Sequence, residues 1–225
     1  MKGVKMKNKP ILTMVKTVVF VMAGLTTVVS CTHHQVSPPI ISSDVENQTD
    51  ADSLSHLTFK GIPIDGTLRE YVTKMEQNGF TYKRSEDGVA MLVGDFAGYR
   101  NCIVWVGTLK QQDLVSKITV IFPNHNTWSS LSFNYFSLKQ MLTEKYGKPL
   151  KCVETFQSRY PPDDDGEKMY EVKFDRCKYY TVYKTAQGSI ELSIEHEGVT
   201  RCFVALSYYD KINSNLRRAK VKDDL

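Results

Sequence analysis

The chain has 225 residues, 41% of them hydrophobic and 11% aromatic. That excludes disorder for most of its length and gives material for one domain or two small ones. Its formal charge of +4 arises in the first 30 residues, where Lys2, Lys5, Lys7, Lys9 and Lys16 occur without a single acid. Residues 31–225 therefore carry 24 basic and 25 acidic side chains, a net of −1. A near-neutral body removes the electrostatic case for nucleic acid, and no such partner is expected.

The chain opens on a basic head, Met1 to Lys9, followed by an apolar stretch, Ile11 to Val29, broken only by Lys16. Val28-Val29-Ser30-Cys31 follows. Basic region, apolar region and a small residue before the cut describe a bacterial export signal. The four residues ending at Cys31 resemble the lipobox of bacterial lipoproteins, with Val28 in place of the commoner leucine. The resemblance implies cleavage before Cys31 by signal peptidase II, lipidation of the Cys31 thiol and amino group (palmitate among the acyl chains), and firm membrane attachment. Thr17 to Val29 suits the apolar part of a signal and is short for a spanning helix. Two other readings are an uncleaved anchor using Ile11 to Val29, with Lys16 snorkelling, and an ordinary secretory signal in which Cys31 has no role. All three place the main domain outside the cytoplasm. Thr32 stands where inner-membrane lipoproteins of enteric bacteria often carry Asp, which favours the outer membrane.

Residues 31–56 read as the lipidated cysteine and a flexible tether, with Pro38-Pro39, several Ser, and Asp44, Glu46, Asp50 and Asp52. About 25 coil residues reach roughly 25–30 Å. The globular domain spans 57–210 in halves of about 57–122 and 130–210, and 211–225 is a polar tail. Leu57 to Ile64 is extended, with Pro63 keeping it off a central ladder. Thr67 and Glu70 form a capping box, and Leu68, Tyr71, Val72 and Met75 make the stripe of a helix stopped by Asn78-Gly79. Three strands follow: Val89 to Phe96, Tyr99 to Leu109 and Leu114 to Phe122. In the last, Ile118, Val120 and Phe122 share one face. A second helix runs from about Ser130 to Tyr146, burying Leu131, Tyr135, Leu138, Met141 and Leu142, and ends at Gly147-Lys148-Pro149. Strands are then expected at Leu150 to Gln157, Met169 to Tyr183, Ser189 to His196 and Thr200 to Tyr209. The alternation of Ser189 to Glu195 marks an antiparallel sheet with one wet face.

The fold class is thus α+β: two tandem helix-plus-antiparallel-meander units, their helices packed on one face of antiparallel sheet. By pattern alone this resembles the β-lactamase inhibitor protein and small envelope lipoproteins of the SmpA/OmlA type. Gly61-Ile62-Pro63-Ile64-Asp65-Gly66 ahead of a helix also resembles uncharacterised lipoproteins of Bacteroides-like bacteria, and implies no activity.

No catalytic, cofactor or metal residues are assigned. His33 and His34 lie in the tether, His56 ends it, His125 is in a loop and His196 ends a strand. No Cys-x-x-Cys, nucleophile elbow or phosphate loop occurs. Asp163-Asp164-Asp165 lacks the alternate spacing of a calcium loop and reads as a solvated hairpin tip. Glu191 and Glu195 share a strand face, most simply the solvated one. Tyr160, Tyr179, Tyr180, Tyr183, Tyr208 and Tyr209 would suit a protein- or glycan-binding face if several point outward. Ordinary strand composition is the plainer reading of that set.

Of the cysteines beyond Cys31, a hairpin centred near Asp164-Asp165 would oppose Cys152 and Cys177. A Cys152–Cys177 disulfide is expected, with Cys102 and Cys202 as small core residues. The expected function is a membrane-anchored, non-enzymatic binding module of the cell envelope, joined to the membrane by lipid and meeting an envelope protein or glycan. The competing class is a small envelope hydrolase using a carboxylate site.

Overall fold

The structure is a computed structural model and describes residues 55–109 and 112–216. The leader, Cys31 and most of the tether lie outside those residues. Among the described residues, ten strands and three principal helices make an α+β fold built on a large antiparallel sheet.

The domain begins with a small hairpin, β1 (Thr58–Phe59) and β2 (Ile62–Pro63). Pro63 pairs with Thr58 there and stays out of the main sheet. Helix α1 (Leu68–Gln77) starts at the expected capping box. Thr67 Oγ1 accepts from Glu70 N at 3.3 Å, and Glu70 Oε2 accepts from Thr67 N at 3.1 Å. Tyr71 and Met75 are fully buried, while Leu68 and Val72 pack at the margin. Gly79, at φ 85°, takes the left-handed turn that stops the helix.

Strands β3 (Thr81–Glu86), β4 (Val89–Phe96), β5 (Tyr99–Thr108) and β6 (Val115–Ile121) follow as a meander. The sequence reading omits β3. All six of its residues are exposed, so it has no apolar period to detect. It is an edge strand, charged and carrying a register shift between Tyr82 and Arg84, both of which discourage pairing with another chain.

Helix α2 (Trp128–Tyr146) buries Leu131, Tyr135, Leu138 and Leu142. Met141, expected with them, is 44% exposed. It sits beside the stripe, off the line of Leu131, Tyr135, Leu138 and Leu142.

Strand β7 (Lys151–Phe156) precedes the largest departure from expectation. Residues read as the start of a long strand are helix α3 (Asp165–Lys173), and β8 begins only at Cys177. Tyr170, Val172 and Phe174 imitate strand alternation, yet the buried apolar pair is Met169 and Val172, three apart. Asp164 and Asp165 are therefore helix caps, and the segment is not a hairpin tip. Asp164 Oδ1 accepts from Glu167 N at 2.7 Å. Asp165 caps the neighbouring helix instead, accepting from Trp128 N at 2.8 Å and Ser129 N at 2.7 Å. Negative charge at both helix N-termini complements their dipoles, and these hydrogen bonds hold the Asp165 pKa down.

Strands β8 (Cys177–Lys184), β9 (Gly188–Glu197) and β10 (Arg201–Asp210) complete an eight-stranded sheet in the order β3-β4-β5-β6-β10-β9-β8-β7. One row of partners crosses it: Leu92, Val104, Val120, Leu206, Leu192, Thr181 and Cys152. The first six are buried. Their face meets Tyr71, Met75, Leu131, Tyr135 and Leu138 in one continuous core.

The ends of the domain are clasped by Asp210, which has no solvent exposure. It accepts from Leu57 N at 2.8 Å and Asn213 N at 2.9 Å, and His56 Nδ1 lies 3.1 Å away. Asn213 Nδ2 donates to the carbonyls of Ile64 and Val115. Residues on both sides of the sheet's central pairing are thereby joined to its first extended segment.

Candidate functional site

Because side chains alternate along each strand, the register that sets the core also sets the opposite face. A second row runs Val93, Ile103, Ile121, Ala205, Ser193, Tyr180 and Val153. Beside it runs Arg84, Met91, Trp105, Thr119, Ser207, Glu191, Val182 and Lys151. Among the described residues the helices contact the other face, and this one is the open face only in the sense that no described helix packs on it. Its centre is apolar: Val93, Ile103, Trp105 and Ile121 are half-buried, and Phe203 and Ala205 are buried. Thr119 Oγ1 and Ser207 Oγ satisfy one another at 3.0 Å in the middle of it.

Four aromatic rings on this face each carry a cation. Arg84 lies 5.7 Å from the Trp105 ring centroid, Lys117 4.7 Å from Tyr209, Lys151 5.0 Å from Tyr180 and Arg201 5.7 Å from Phe203. Within about 6 Å such placements are attractive and hold long side chains against the rings. The result is an apolar strip whose aromatic rings are topped by basic side chains.

Glu191 belongs to the same face, partnered by Ser207 and Val182. Burial pushes its carboxyl pKa up, and the charge of Glu195 adds to the effect against Lys117 and Lys151. Glu191 and Glu195 are four residues apart on β9, about 13 Å at the rise of a strand. Glycosidase carboxylate pairs lie ~5–9.5 Å apart, so the spacing argues against their use as such a pair.

The tyrosine set divides by strand parity. Tyr180 and Tyr209 belong to the open face, Tyr183 and Tyr208 are buried beneath the helices, and Tyr179 packs edge-on against Trp128 and tilted against Phe156. Tyr160, 75% exposed, stands apart in the loop before α3.

Cys102 and Cys202 are buried core residues, as expected. The hairpin register is displaced by four residues from the one that would join Cys152 to Cys177. Thr181 stands opposite Cys152, and Phe156 opposite Cys177. Four residues of strand separate two cysteines that needed to face one another, and all four described cysteines are free. The displacement follows from α3, which takes up residues that the expected hairpin needs as strand. His125 Nε2 lies 2.9 Å from Asn134 Nδ2, and burial lowers its pKa. His196 bonds Gly198 O and Asp175, and His56 faces Asp210. These three histidines are thus spread over separate parts of the fold.

The open face was not legible as a site. Its residues are the off-beat positions of ordinary strands, and only the strand order brings them together. The signal available was the apolar character of both alternations in Val89 to Phe96 and Tyr99 to Thr108. No family model, no curated protein and no solved structure matches this chain.

Proposed function

We propose that the chain is a lipid-anchored envelope protein whose globular domain binds a protein partner through the open sheet face, without catalysis. The observation that carries this is the apolar centre of a face that no described helix covers. Eight strands at ~4.8 Å spacing and about five residues of length give a face of roughly 700 Å². A standard protein interface occupies ~800 Å² per partner. The cation-topped rings on this face suit a partner surface that combines apolar and acidic groups, since complementary charge steers association and fixes register.

The strand order supports two tandem helix-plus-meander units, one giving β3 to β6 and the other β7 to β10, meeting at the β6–β10 pairing. In that reading the open face is the joint product of both halves. Anchoring is read from Val28-Val29-Ser30-Cys31. No helix among the described residues is long and apolar enough to cross a membrane, which is compatible with a lipid anchor.

Site-specific photocrosslinkers in native membranes test the binding reading. Crosslinks from positions 103, 105 and 121 should reach one partner, and a probe at Glu144 on α2 should not. The identified partner, purified, should bind wild type and fail to bind Ile103→Asp. Capture from the helix side alone, or equal binding by the variant, would reject the open face. Fatty-acid labelling tests the anchor: Cys31→Ala should remove the label entirely, and a labelled variant would sink that part.

A further inference from the structure

The main sheet ends in two edge strands, β3 and β7. Strand β3 resists further pairing through its charge and its register shift. Strand β7 carries no such shift and no proline: its ladder with β8 keeps one register from Lys151–Val182 to Phe156–Cys177. Gln157 N donates to Arg176 O at 2.7 Å and continues that register. Bonded and non-bonded pairs alternate along an antiparallel ladder, so Lys151, Val153 and Thr155 turn their backbone groups to β8 as Gln157 does. Cys152, Glu154 and Phe156 turn theirs to the outer edge, and the side chains of Cys152 and Glu154 are exposed. The edge is a regular row of backbone donors and acceptors with no described strand beside it.

The geometry points to β7 as a self-pairing edge, joined antiparallel to β7 of a second copy of this chain about a two-fold axis at Val153. A two-fold axis perpendicular to the sheet keeps each face on its own side and pairs outward-turned residues only with outward-turned ones. The axes that keep most of the six residues paired pass through Val153 or Glu154. An axis at Glu154 sets two carboxylates directly opposite each other, which is destabilising. An axis at Val153 places Cys152 opposite Glu154 of the second copy and Lys151 opposite its Thr155, with no like charges facing. Cys152 and Glu154 then form bonded pairs on both sides of the axis, about four backbone hydrogen bonds in all.

Charge complementarity singles out a second copy as the occupant. From α2, Lys139 Nζ donates to Glu154 Oε1 at 2.6 Å and to Cys152 Sγ at 3.2 Å within one chain. Since Cys152 faces Glu154 of the second copy in this register, each Lys139 sits between two Glu154 carboxylates, one from either chain. The strand thus carries both the acid and, through Lys139, the cation that receives it. Two lysines shared in this way and a short run of hydrogen bonds make a small, transient interface. It uses the sheet edge alone and stands or falls separately from the open face.

The test is oxidative crosslinking of the full-length chain in native membranes, with Cys152→Ser in every variant and the links located by peptide mapping. Val153→Cys should give a dimer linked from 153 to 153, because facing residues of a non-bonded pair bring their Cβ atoms within disulfide reach. Ser85→Cys, on the exposed edge β3, should give about tenfold less dimer. Adding Glu154→Pro to Val153→Cys should cut the dimer about tenfold, since it removes an outward N–H and leaves the pairing with β8 intact. Circular dichroism reports whether that variant folds, and if it does not, the comparison of positions 153 and 85 decides. Equal crosslinking from 153 and 85, a link from 153 to a different protein, or an undiminished dimer in a folded Glu154→Pro variant would overturn the proposal.

Discussion

Glu191 shows how one side chain reports on the face it occupies. Burial disfavours its carboxylate, so its folded pKa lies above the unfolded value of ~4.3. Between those values the folded state binds more protons than the unfolded one. Stability therefore falls as pH rises through that window, and the penalty is complete above the folded pKa. Glu191→Gln should raise Tm by roughly 1–3 °C at pH 7 and lose that gain near pH 4. Thermal unfolding at both values checks it, and a gain independent of pH would assign the effect to something other than ionisation. Asp210 is a buried acid whose oxygens accept from two backbone amides, with His56 alongside. Asp210→Ala leaves those amides without their acceptor and should cost about 3 kcal/mol in urea unfolding. A loss below ~1 kcal/mol would mean that water replaces the clasp.

Among elements, legibility followed periodicity and caps. Helix α1 was readable because Thr67, Glu70 and the Tyr71–Met75 stripe agree with each other. Helix α3 was not, although Asp164 and Glu167 carry the same spacing. Tyr170, Val172 and Phe174 gave a competing strand pattern, and three adjacent aspartates drew attention to charge instead of capping. Strand β3 gave no signal because an exposed edge needs none. The meander also depends on one close backbone approach. A Cβ on Gly188 would lie 2.1 Å from Tyr209 O, whereas on Gly107 the nearest atom is Lys117 O at 3.8 Å. Gly188→Ala should therefore cost about 2 kcal/mol or more as the β9–β10 pairing shifts. Gly107→Ala should stay within ~0.5 kcal/mol. Similar losses for both, measured by denaturant unfolding, would contradict the steric account.

For the molecule as a whole, the two faces of one sheet should respond differently to substitution. Leu206 is packed in the core row and Trp105 lies on the open face. Leu206→Ala should destabilise by roughly 2–5 kcal/mol. Trp105→Glu should leave the fold cooperative, with a loss of under ~1 kcal/mol, and abolish partner binding. Paired unfolding and binding measurements on the two variants check this. A Trp105→Glu protein that unfolds as readily as Leu206→Ala would place Trp105 in the core and remove the basis for a binding face.

What the sequence determined by itself was local. The near-neutral body, the two large helices and most strands follow from charge distribution and the periods 3.6 and 2, which a short window contains. What only the tertiary structure decided was non-local. The meeting of β6 with β10 makes one sheet and one open face from strands far apart in the chain. The shift of β7 against β8 puts Thr181 opposite Cys152, and the approach of α2 brings Lys139 to that sulfur. Strand register and helix placement are set by how distant apolar rows pack against each other, and no window of sequence holds both rows.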